Sequence, residues 1–330
     1  MQSENKTMRL GVIGVGHMGK YHVNVIKQLS SAELAGVFDT NKDERTAVAK
    51  KYNTTAFKSV EDTLANVDGV IIAVPTKYHF DAALAALKAN VHVLVEKPMT
   101  PTVDEAKALA AEAKKRSLIL QVGHVERFNG AVQELRNVVR APRLIETRRL
   151  SPFNPRIKDV GVVLDLMIHD IDIVLNLVNR PLTHLSAAGT RVFSQHEDVA
   201  SATLTFDNGC VAVITASRAT QEKIRTLAIS EEKDYIILNY TTQEMEIHRQ
   251  SSSESVVKLN DGISYRQESI VERVFTHREN ALKLEVEHFV NCARGTAVPL
   301  VDVMNDVRTL EITHDILTKI HGGSDGSKRQ

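Results

Sequence analysis

The stretch RLGVIGVGHMGKY, residues 9–21, reads as a short apolar strand, a glycine-rich turn and the start of a helix. Its Gly14-x-Gly16-x-x-Gly19 spacing is typical of a dinucleotide-binding turn. Gly14 lets the chain turn sharply, Gly16 lets the backbone approach a pyrophosphate, and Gly19 lets the helix pack close to the sheet. The N–H groups at the start of the helix would bind the phosphates. An ordinary strand-turn-helix also fits this pattern, so the surrounding sequence has to decide between the two.

Size and composition indicate a two-domain protein without a charged macromolecular partner. At 330 residues the chain is too long for one small domain. Its 41 basic and 41 acidic residues give a formal net charge of zero, so we expect neither nucleic acid nor an acidic membrane as a partner. Cys210 and Cys292 lack zinc-site spacing and are interpreted as structural thiols. No signal-peptide pattern and no apolar run near the roughly 20 residues of a membrane span occur, so a cytoplasmic location is expected.

Short apolar runs alternate with helical stretches in the first part of the chain. The apolar runs are Leu10–Ile13, Leu34–Phe38, Gly69–Val74, Val91–Val95 and Leu118–Val122, and the helical stretches are Lys20–Leu29, Asp43–Lys51, Asp81–Ala89 and Val103–Arg116. Such βαβ alternation with continuously apolar strands predicts a parallel sheet covered on both faces. The sequence therefore predicts an α/β Rossmann dinucleotide-binding domain over residues 1–123.

Asp39 ends the second predicted strand, twenty positions after Gly19. A dinucleotide-binding domain places an acidic residue there to accept hydrogen bonds from ribose hydroxyls. The carboxylate repels a 2′-phosphate, and Thr40 and Asn41 supply no arginine to bind one. We therefore expect NAD rather than NADP. The alternative interpretation is that Asp39 is a solvated turn residue.

Two loops follow later strands and are expected to face the cofactor. The backbone of PTKYH, residues 75–79, should lie over the nicotinamide half, although His79 could simply open the next helix. In EKP, residues 96–98, Lys97 beside a substrate hydroxyl would stabilise oxyanion charge or share in proton transfer, oriented by Glu96. A surface lysine fits the spacing equally well. The expected cofactor contacts are Gly14, Gly16, His17, Met18, Gly19, Asp39, Ala73, Pro75, Thr76, His79, Glu96 and Lys97.

From about His124 the strict alternation stops, and residues 124–330 are predicted to form a second, α+β domain. Within the helical pattern of Gly161–Val178, Asp165 and His169 share one face, because they are four residues apart. A carboxylate beside an imidazole raises its basicity, which suits a base that takes a hydroxyl proton. The alternatives are a structural polar network or a metal site with Asp172; no further ligand cluster is evident, so no metal is expected. Asp170 lies off this face and is expected to be solvated or at an interface.

The remaining segments predict a large, mostly antiparallel open sheet. Its strands are expected at Arg143–Leu150, Leu185–Arg191, Ala200–Phe206, Cys210–Ala216, Arg225–Ser230, Asp234–Leu238 and Glu244–Arg249. The DNG sequence at 207–209 predicts a tight turn between two of them. Ser251–Ser255 is expected to be a polar loop. Helices are expected at Ala281–Ala293 and Asp302–Ile320, followed by a flexible tail, Gly322–Gln330.

Several motifs together resemble the superfamily of glucose-fructose oxidoreductase, inositol dehydrogenase and rhizopine catabolism proteins, which are NAD(P)-dependent sugar oxidoreductases. They are the glycine turn, EKP at 96–98, VGHVERFN at 122–129, Asp165-x-x-x-His169-x-x-Asp172 and the late helix Asn280–Cys292. The resemblance covers nearly the whole chain. It implies that one sheet face forms a subunit contact, so a homodimer or homotetramer is expected, and it does not imply a metal. Where many members have a glycine run, this chain has DVGVV at 159–163.

VGHVERFN and RRLSPFNPR, residues 148–156, look most like members of the family that act on nucleotide-linked sugars. Within that group they resemble enzymes that oxidise UDP-N-acetylglucosamine at carbon 3, which supply an aminotransferase in the synthesis of lipid A. The expected substrate contacts are Lys97, His124, Arg127, Asn129, Arg156, Asp165 and His169. A guanidinium can bind a diphosphate bidentately. For Arg127, Asn129 and Arg156, a surface or interdomain polar contact is the alternative.

The expected activity is NAD-dependent oxidation of a secondary hydroxyl of a sugar. His169, oriented by Asp165, would take the proton while Lys97 polarises the oxygen, and which of them is the principal base is left open. Another nucleotide-sugar or a free polyol such as inositol is the alternative substrate. A non-catalytic NAD-binding sensor is the alternative of another class, but it would not need Lys97, Asp165 and His169 together.

Overall fold

The computed structural model describes residues 7–155, 160–250, 255–259, 262–266 and 269–322. They form two compact units. The first contains the described residues up to Phe128 together with Glu279–Glu311, and the second contains those of Asn129–Arg278 and from Ile312 onwards. The predicted substrate contact Arg156, the family departure at Asp159, most of the predicted loop at 251–255 and the tail after Gly322 lie outside the described residues.

A parallel sheet forms the centre of the first unit. Its strands are β1 (Met8–Ile13), β2 (Ala32–Phe38), β3 (Thr55–Ala56), β4 (Gly69–Ile72), β5 (His92–Glu96) and β6 (Leu120–Gly123), and its helices are α1 (His17–Ile26), α2 (Lys42–Tyr52), α3 (Val60–Leu64), α4 (His79–Lys88) and α5 (Val103–Arg116). The strands lie in the order β3-β2-β1-β4-β5-β6, and all their pairings are parallel. The order reverses between β1 and β4, where such sheets open a crevice for a ligand.

The side chains of the central strands alternate between two apolar clusters on opposite faces of this sheet. In β5, Val93 and Val95 pack into one cluster, and Leu94 packs into the other. Burial on both faces explains why the predicted strands are continuously apolar. The predicted helix at Val103–Arg116 is also observed, because Thr102 and Glu105 form a capping box at its start. β3 and α3 were not predicted, since two and five residues are too short to show a period.

The second unit is built on a mostly antiparallel sheet. It contains α6 (Gly130–Val138), β7 (Leu144–Leu150), α7 (Ile168–Val178), β8 (Leu182–Thr190), β9 (Val199–Phe206), β10 (Val211–Ser217), β11 (Ile224–Ser230), β12 (Asp234–Asn239), β13 (Glu244–Gln250), β14 (Ser255–Leu259), β15 (Gly262–Arg266) and β16 (Ser269–Val274). The large sheet has the order β16-β13-β12-β11-β7-β10-β9-β8, and β14 pairs with β15 separately. Within it, only β7 and β10 pair in parallel among the described strands.

One face of this large sheet is covered by helices, and the other is partly exposed. Residues of β9 and β10 alternate in burial, so that Leu204 and Ile214 are buried while Ser201 is exposed. The buried face packs against Ile171 and Val174 of α7 in one apolar cluster. The predicted fold class, a Rossmann domain followed by a mostly antiparallel α+β domain, is confirmed.

Two late helices complete the units. In α8 (Ala281–Ala293), Val286, Phe289 and Val290 are buried in the apolar cluster that contains Leu10 of β1. In α9 (Val303–Gly322), Leu310 belongs to the core of the first unit, whereas Ile312 and Ile316 belong to the core of the second. The sequence pattern places all residues after 123 in one domain, whereas Glu279–Glu311 belongs to the first unit. An apolar stripe shows that a helix is buried but not which core receives it.

Both cysteines are free, buried thiols. Burial raises the pKa of Cys210 to about 11 and also raises the pKa of Cys292. These environments fit the structural role expected for the two thiols. None of the helices in the described ranges combines the length and the apolar character that a membrane crossing requires.

Candidate active site

The three glycines of the first turn differ in what surrounds them. Gly14 has φ +89°, and a Cβ on it would lie 2.6 Å from the carbonyl oxygen of Ala73. A Cβ on Gly19 would overlap the carbonyl oxygen of Gly14, whereas a Cβ on Gly16 would meet nothing within 4 Å. Gly16 also precedes α1 without a side-chain cap, so the N-terminus of that helix keeps N–H groups to offer. The turn thus leaves open space where phosphates would approach the backbone.

A cavity of about 720 Å³ opens beside this turn. Its lining includes Gly14, Gly16, Asp39, Ala73 and Pro75, all of which the sequence predicts as cofactor contacts. The Asp39 carboxylate is fixed there, because it accepts hydrogen bonds from the backbone N–H groups of Val15 and Asn41, both at 2.8 Å. A carboxylate has about four lone-pair sites, so Asp39 keeps capacity to accept from ribose hydroxyls. These residues fit a dinucleotide.

Arg45 lies beside Asp39 and was missed in the sequence. Its guanidinium donates to the Asp39 carbonyl oxygen at 3.0 Å and lies 5.5 Å from the centre of the Phe38 ring. Asn41 caps α2, and the first turn of this helix brings residue 45 back towards the end of β2. Reading only the two residues after Asp39 could not find it, whereas the helical period starting at Asn41 could.

The remaining predicted cofactor residues fall into exposed and buried groups. His17 and Met18 open α1, where His17 is exposed and packs edge-on against Tyr21. Thr76 begins a 3-10 turn after Pro75. His79 is buried: its Nδ1 lies 2.8 Å from the Pro98 carbonyl oxygen and its Nε2 lies 2.8 Å from that of Val74. Burial lowers the pKa of His79. The ring therefore fastens the loop after β4 to the turn after β5.

The residue before Lys97 is held in a buried hydrogen bond. Nε2 of His22, on α1, donates to Oε1 of Glu96 at 2.7 Å. Burial alone would raise the pKa of Glu96, but the hydrogen bond from His22 and the charges of His22 and Lys97 outweigh it and bring that pKa below its usual value. Gly123 leaves room for the carboxylate, since a Cβ there would lie 3.1 Å from Glu96 Oε2. Lys97 itself is half-buried and precedes a cis peptide bond to Pro98.

A second buried carboxyl group, Glu285 of α8, was also missed in the sequence. It is fully buried, and neither of its oxygens has a hydrogen-bond partner in the described ranges. Burial and repulsion from Glu96 raise the pKa of Glu285 well above its usual value, and the charge of Arg127 only partly opposes this shift. No sequence signal separates Glu285 from a solvated helical glutamate, because only the packed structure shows its surroundings.

Three predicted substrate contacts are buried in structural networks. Arg127 donates to the carboxylate of Asp306, and His124 Nε2 lies 3.8 Å from the same carboxylate. In the second unit, Asn129 caps α6 by accepting from the N–H of Ala131, and it donates to the carbonyl oxygen of Tyr240. These contacts are made within the protein, and contact of the three side chains with a substrate stays a prediction.

Asp165 and His169 lie on a continuous helical segment, but its first turn is not α-helical. Val163–Met167 forms a π-helical turn, in which the N–H of Ile168 donates to the carbonyl oxygen of Val163. Asp165 lies in this turn and His169 in the first turn of α7, so the four-residue spacing does not follow simple α-helical geometry. Such π turns occur frequently at functional sites. Both side chains are half-buried.

The expectation that Asp170 is solvated or at an interface is wrong. Its carboxylate accepts two hydrogen bonds from Arg149, at 2.8 and 3.0 Å, and both side chains are almost fully buried. The Arg149 guanidinium also lies 4.8 Å from the centre of the Tyr240 ring. Arg149 belongs to β7, and no sequence pattern indicates that this strand contacts α7. Asp172 is buried as well and accepts from the side chain of Asn176 at 3.0 Å.

The chain is similar to known oxidoreductases over most of its length. Residues 8–124 match an oxidoreductase family described as having an NAD-binding Rossmann fold, and residues 126–237 match the GFO/IDH/MocA C-terminal domain. The chain is 38% identical to the UDP-N-acetylglucosamine 3-dehydrogenase of Acidithiobacillus ferrooxidans, over 86% of this chain and 88% of that protein. It is 27% identical to the scyllo-inositol 2-dehydrogenase (NAD(+)) of Bacillus subtilis, over 92% of each.

A solved structure of the Acidithiobacillus enzyme superposes with a TM-score of 0.88 and 34% identity, covering 96% of this chain and 98% of that one. The fold, the glycine turn and the sequence identity all indicate an NAD-dependent oxidoreductase. The expectation of an NAD-dependent enzyme is therefore confirmed. The chain belongs to the GFO/IDH/MocA oxidoreductase family.

Proposed function

We propose that this protein oxidises the C3 hydroxyl of UDP-N-acetylglucosamine to a ketone. The observation that carries the proposal is the 38% identity to the Acidithiobacillus UDP-N-acetylglucosamine 3-dehydrogenase over 86% of the chain. The inositol dehydrogenase of Bacillus subtilis is less similar, at 27% identity over 92% of the chain. A nucleotide-sugar is therefore favoured over a free polyol.

The residues around the glycine turn support the part of the proposal that concerns NAD binding. Gly14, Gly16 and Gly19 would bring the backbone and the start of α1 to the pyrophosphate, and Asp39 would accept from the ribose hydroxyls. His79 would fix the Pro75–Thr76 loop in place. When bound, NAD supplies the hydride acceptor. The residues of the chain supply binding, orientation and proton transfer.

Proton transfer is assigned to His169 and charge stabilisation to Lys97. The proposal has His169 take the proton from the C3 hydroxyl, with the Asp165 carboxylate favouring the charged imidazolium. Lys97 would stabilise negative charge that develops on the same oxygen. Its backbone position is supported by the buried His22–Glu96 hydrogen bond at the preceding residue.

The test follows the hydride from a labelled carbon. UDP-N-acetylglucosamine carrying deuterium at C3 is incubated with the enzyme and NAD, with a ketone-trapping amine in case the equilibrium opposes oxidation, and the NADH is analysed by mass spectrometry. Deuterium in NADH is expected from the C3-labelled substrate and not from a C4-labelled one. Transfer from C4, or turnover with scyllo-inositol alone, would refute the substrate assignment.

Variants in the same assay test the two roles. His169→Gln and Lys97→Met should each lower kcat by about 100- to 10,000-fold, the usual range for a general acid–base group, and His169→Gln should retain NADH affinity. His184→Gln, which changes an exposed histidine of β8, is the matched control and should keep wild-type turnover. Wild-type turnover in either active-site variant would show that the roles are misassigned.

We also propose that the protein is a homodimer or homotetramer and that an aminotransferase consumes its product. A 3-keto sugar is the carbonyl substrate that transamination requires, and the proposal, in line with the sequence resemblance, is that the resulting 3-amino sugar enters lipid A. The partly exposed face of the large sheet, with Val213, Ile224 and Ile237 on it, supports assembly through that face. Production of a 3-amino nucleotide-sugar in a coupled reaction with an aminotransferase would test the metabolic role.

A further inference from the structure

The loop between β8 and β9 is wrapped around one buried carboxylate. Oδ2 of Asp198 accepts hydrogen bonds from three successive backbone N–H groups, those of Val192, Phe193 and Ser194, at 2.7, 2.6 and 2.9 Å. Oδ1 accepts a fourth hydrogen bond from the Ser194 hydroxyl at 2.9 Å. Four donors on one carboxylate fix the backbone of this loop. The conformation is therefore set inside the second unit.

Arg218 completes the anchor. Its Nε donates to Asp198 Oδ1 at 2.6 Å, and its Nη2 donates to the Ser194 hydroxyl at 2.7 Å. Both charged side chains are almost completely buried. Because a buried ion pair is costly to desolvate unless it is fully hydrogen-bonded, this network indicates a loop that holds one shape.

The anchored loop nevertheless presents an apolar ring to solvent. Phe193 is 56% exposed. Its ring centre lies 5.1 Å from that of Phe153, at an interplanar angle of 44°. Phe153, from the loop after β7, is half-buried and lies 5.7 Å from the Arg218 guanidinium. We name the pair Phe153 and Phe193 the aromatic platform. Backbone that is fixed by buried charges thus holds the Phe193 ring at the surface, next to the ring of Phe153.

The hydrogen-bond network beneath the platform is connected to the segment that carries His169, the proposed general base. Nη1 of Arg218 donates to the carbonyl oxygen of Val160 at 2.9 Å. The N–H of Val162 donates to the Glu197 carbonyl oxygen at 2.9 Å, and the N–H of Val163 donates to the Glu197 carboxylate at 3.2 Å. Val163 begins the π-helical turn that contains Asp165. The loop between β8 and β9 and the π-helical turn that contains Asp165 are therefore joined by one network of hydrogen bonds.

We propose that the aromatic platform binds the nucleobase of the nucleotide-sugar by stacking, while the sugar extends towards Asp165 and His169. The inference rests on the proposed function, because only a nucleotide-linked substrate carries a base. Every base has a π-face that aromatic side chains can bind. The continuity of the platform with the Asp165 turn favours the substrate itself as its occupant over a second copy of the chain. A free polyol would leave the platform without a ligand.

The test compares binding of UDP in the NADH-loaded enzyme by titration calorimetry. Phe193→Leu keeps an apolar side chain but removes the ring, so the Kd for UDP should rise about 5- to 100-fold, the range expected for loss of one stacked base. Phe153→Leu should act in the same direction. Phe193→Trp should bind UDP at least as tightly as wild type. Val192→Ala, which changes the neighbouring exposed side chain, should leave Kd unchanged and is the matched control.

Turnover separates base recognition from a general defect. The KM for UDP-N-acetylglucosamine should rise with the Kd for UDP in Phe193→Leu. With N-acetylglucosamine 1-phosphate, which has no base, the ratio of wild-type to variant kcat/KM should fall towards one. Unchanged melting temperature and NADH affinity show that the variant is folded.

Three results would overturn the inference. If wild type binds UDP and oxidises UDP-N-acetylglucosamine but Phe193→Leu does so with the same Kd and KM, the platform is wrong and the proposed function stands. The same holds if this variant changes only the particle mass, since the ring then belongs to a subunit contact. If wild type neither binds UDP nor oxidises the nucleotide-sugar, the proposed function fails and the platform assignment fails with it.

Discussion

At the scale of single residues, Glu285 departs furthest from what its side chain normally does. It lies on α8 in the core of the first unit, without a hydrogen-bond partner for its oxygens in the described chain. Burial, with repulsion from Glu96, holds its pKa well above the usual value. The folded protein therefore favours the protonated, neutral form of this carboxyl group.

This raised pKa predicts a pH-dependent stability. The carboxyl group has a higher pKa in the folded protein than in the unfolded chain, where its pKa is about 4.3. Its contribution to stability is fully present at pH values below the unfolded pKa, and it is lost as the pH rises through the folded pKa. Glu285→Gln mimics the neutral acid and does not titrate. Relative to wild type, the variant should gain about 1.4 kcal/mol of unfolding free energy for each pKa unit of the shift as the pH rises.

Urea unfolding of both proteins between about pH 5 and about pH 9 measures this difference. Glu287→Gln, which changes a partly exposed glutamate of the same helix, is the matched control and should parallel wild type. Parallel curves for wild type and Glu285→Gln would contradict the assignment of a buried neutral acid.

Asp39 and Arg45 make a second residue-scale prediction, which concerns cofactor choice. Asp39→Ser removes the charge that repels a 2′-phosphate, and it leaves Arg45 beside the space where that phosphate would lie. We expect kcat/KM with NAD to fall and kcat/KM with NADP to rise, shifting their ratio by about 10- to 100-fold, or roughly 1.4 to 2.8 kcal/mol. Steady-state kinetics with both cofactors measure the shift. Asp43→Asn is the control for a nearby exposed carboxylate, and an unchanged ratio in Asp39→Ser would remove Asp39 from cofactor selection.

At the scale of elements, two glycines of the first turn are expected to have different roles: Gly19 in the stability of the fold and Gly16 in the binding of NAD. A Cβ on Gly19 would overlap backbone of the same turn, so Gly19→Ala must push α1 away from β1. We expect a loss of about 1–3 kcal/mol or more, as for other overpacked sites. Gly16→Ala places its methyl group in open space. It should change stability by less than about 1 kcal/mol but weaken NAD binding at least about tenfold, because the methyl group lies where the pyrophosphate approaches.

Thermal unfolding with and without NADH distinguishes these two outcomes. Gly16→Ala should melt like wild type alone but gain less on adding NADH, whereas Gly19→Ala should melt lower in both conditions. Wild-type NADH affinity in Gly16→Ala would mean that phosphate does not approach this backbone.

Elements also show how far the sequence could predict the structure. The Rossmann strands were predictable because buried parallel strands are continuous apolar runs. Helix α5 was predictable because Thr102 and Glu105 have the spacing of a capping box at its start. The π turn at Val163–Met167 was not, since its residues have ordinary helical character. The aromatic platform was not either: Phe153 and Phe193 are 40 positions apart, and Asp198 and Arg218 bring their loops together only in the folded unit.

At the scale of the whole molecule, the sheet of the second unit has one well-covered face and one partly exposed face. If copies assemble through the exposed face, replacing an apolar residue on it by arginine should prevent assembly, because each partner of a stable interface buries about 800 Å² and tolerates an unpaired charge poorly. We expect Val213→Arg and Ile237→Arg to lower the particle mass measured by light scattering to that of one chain.

Val298→Arg, an exposed position of the first unit, is the control for added charge and should keep the wild-type mass. A wild-type protein that is already monomeric at micromolar concentration would refute the assembly proposal. Assembly that survives both sheet variants would place the interface on another surface.

The return of the chain to the first unit at Glu279 also has a consequence for biosynthesis. The core of the first unit needs Phe289 and Val290 of α8, as well as Leu310 of α9, which the ribosome makes after more than half of the polypeptide. A nascent chain that ends at Phe128 has every strand of the Rossmann sheet but leaves apolar surface of β1 uncovered. The cofactor domain is therefore first in the sequence but is expected to be completed late, so that a stalled or truncated chain depends on chaperones.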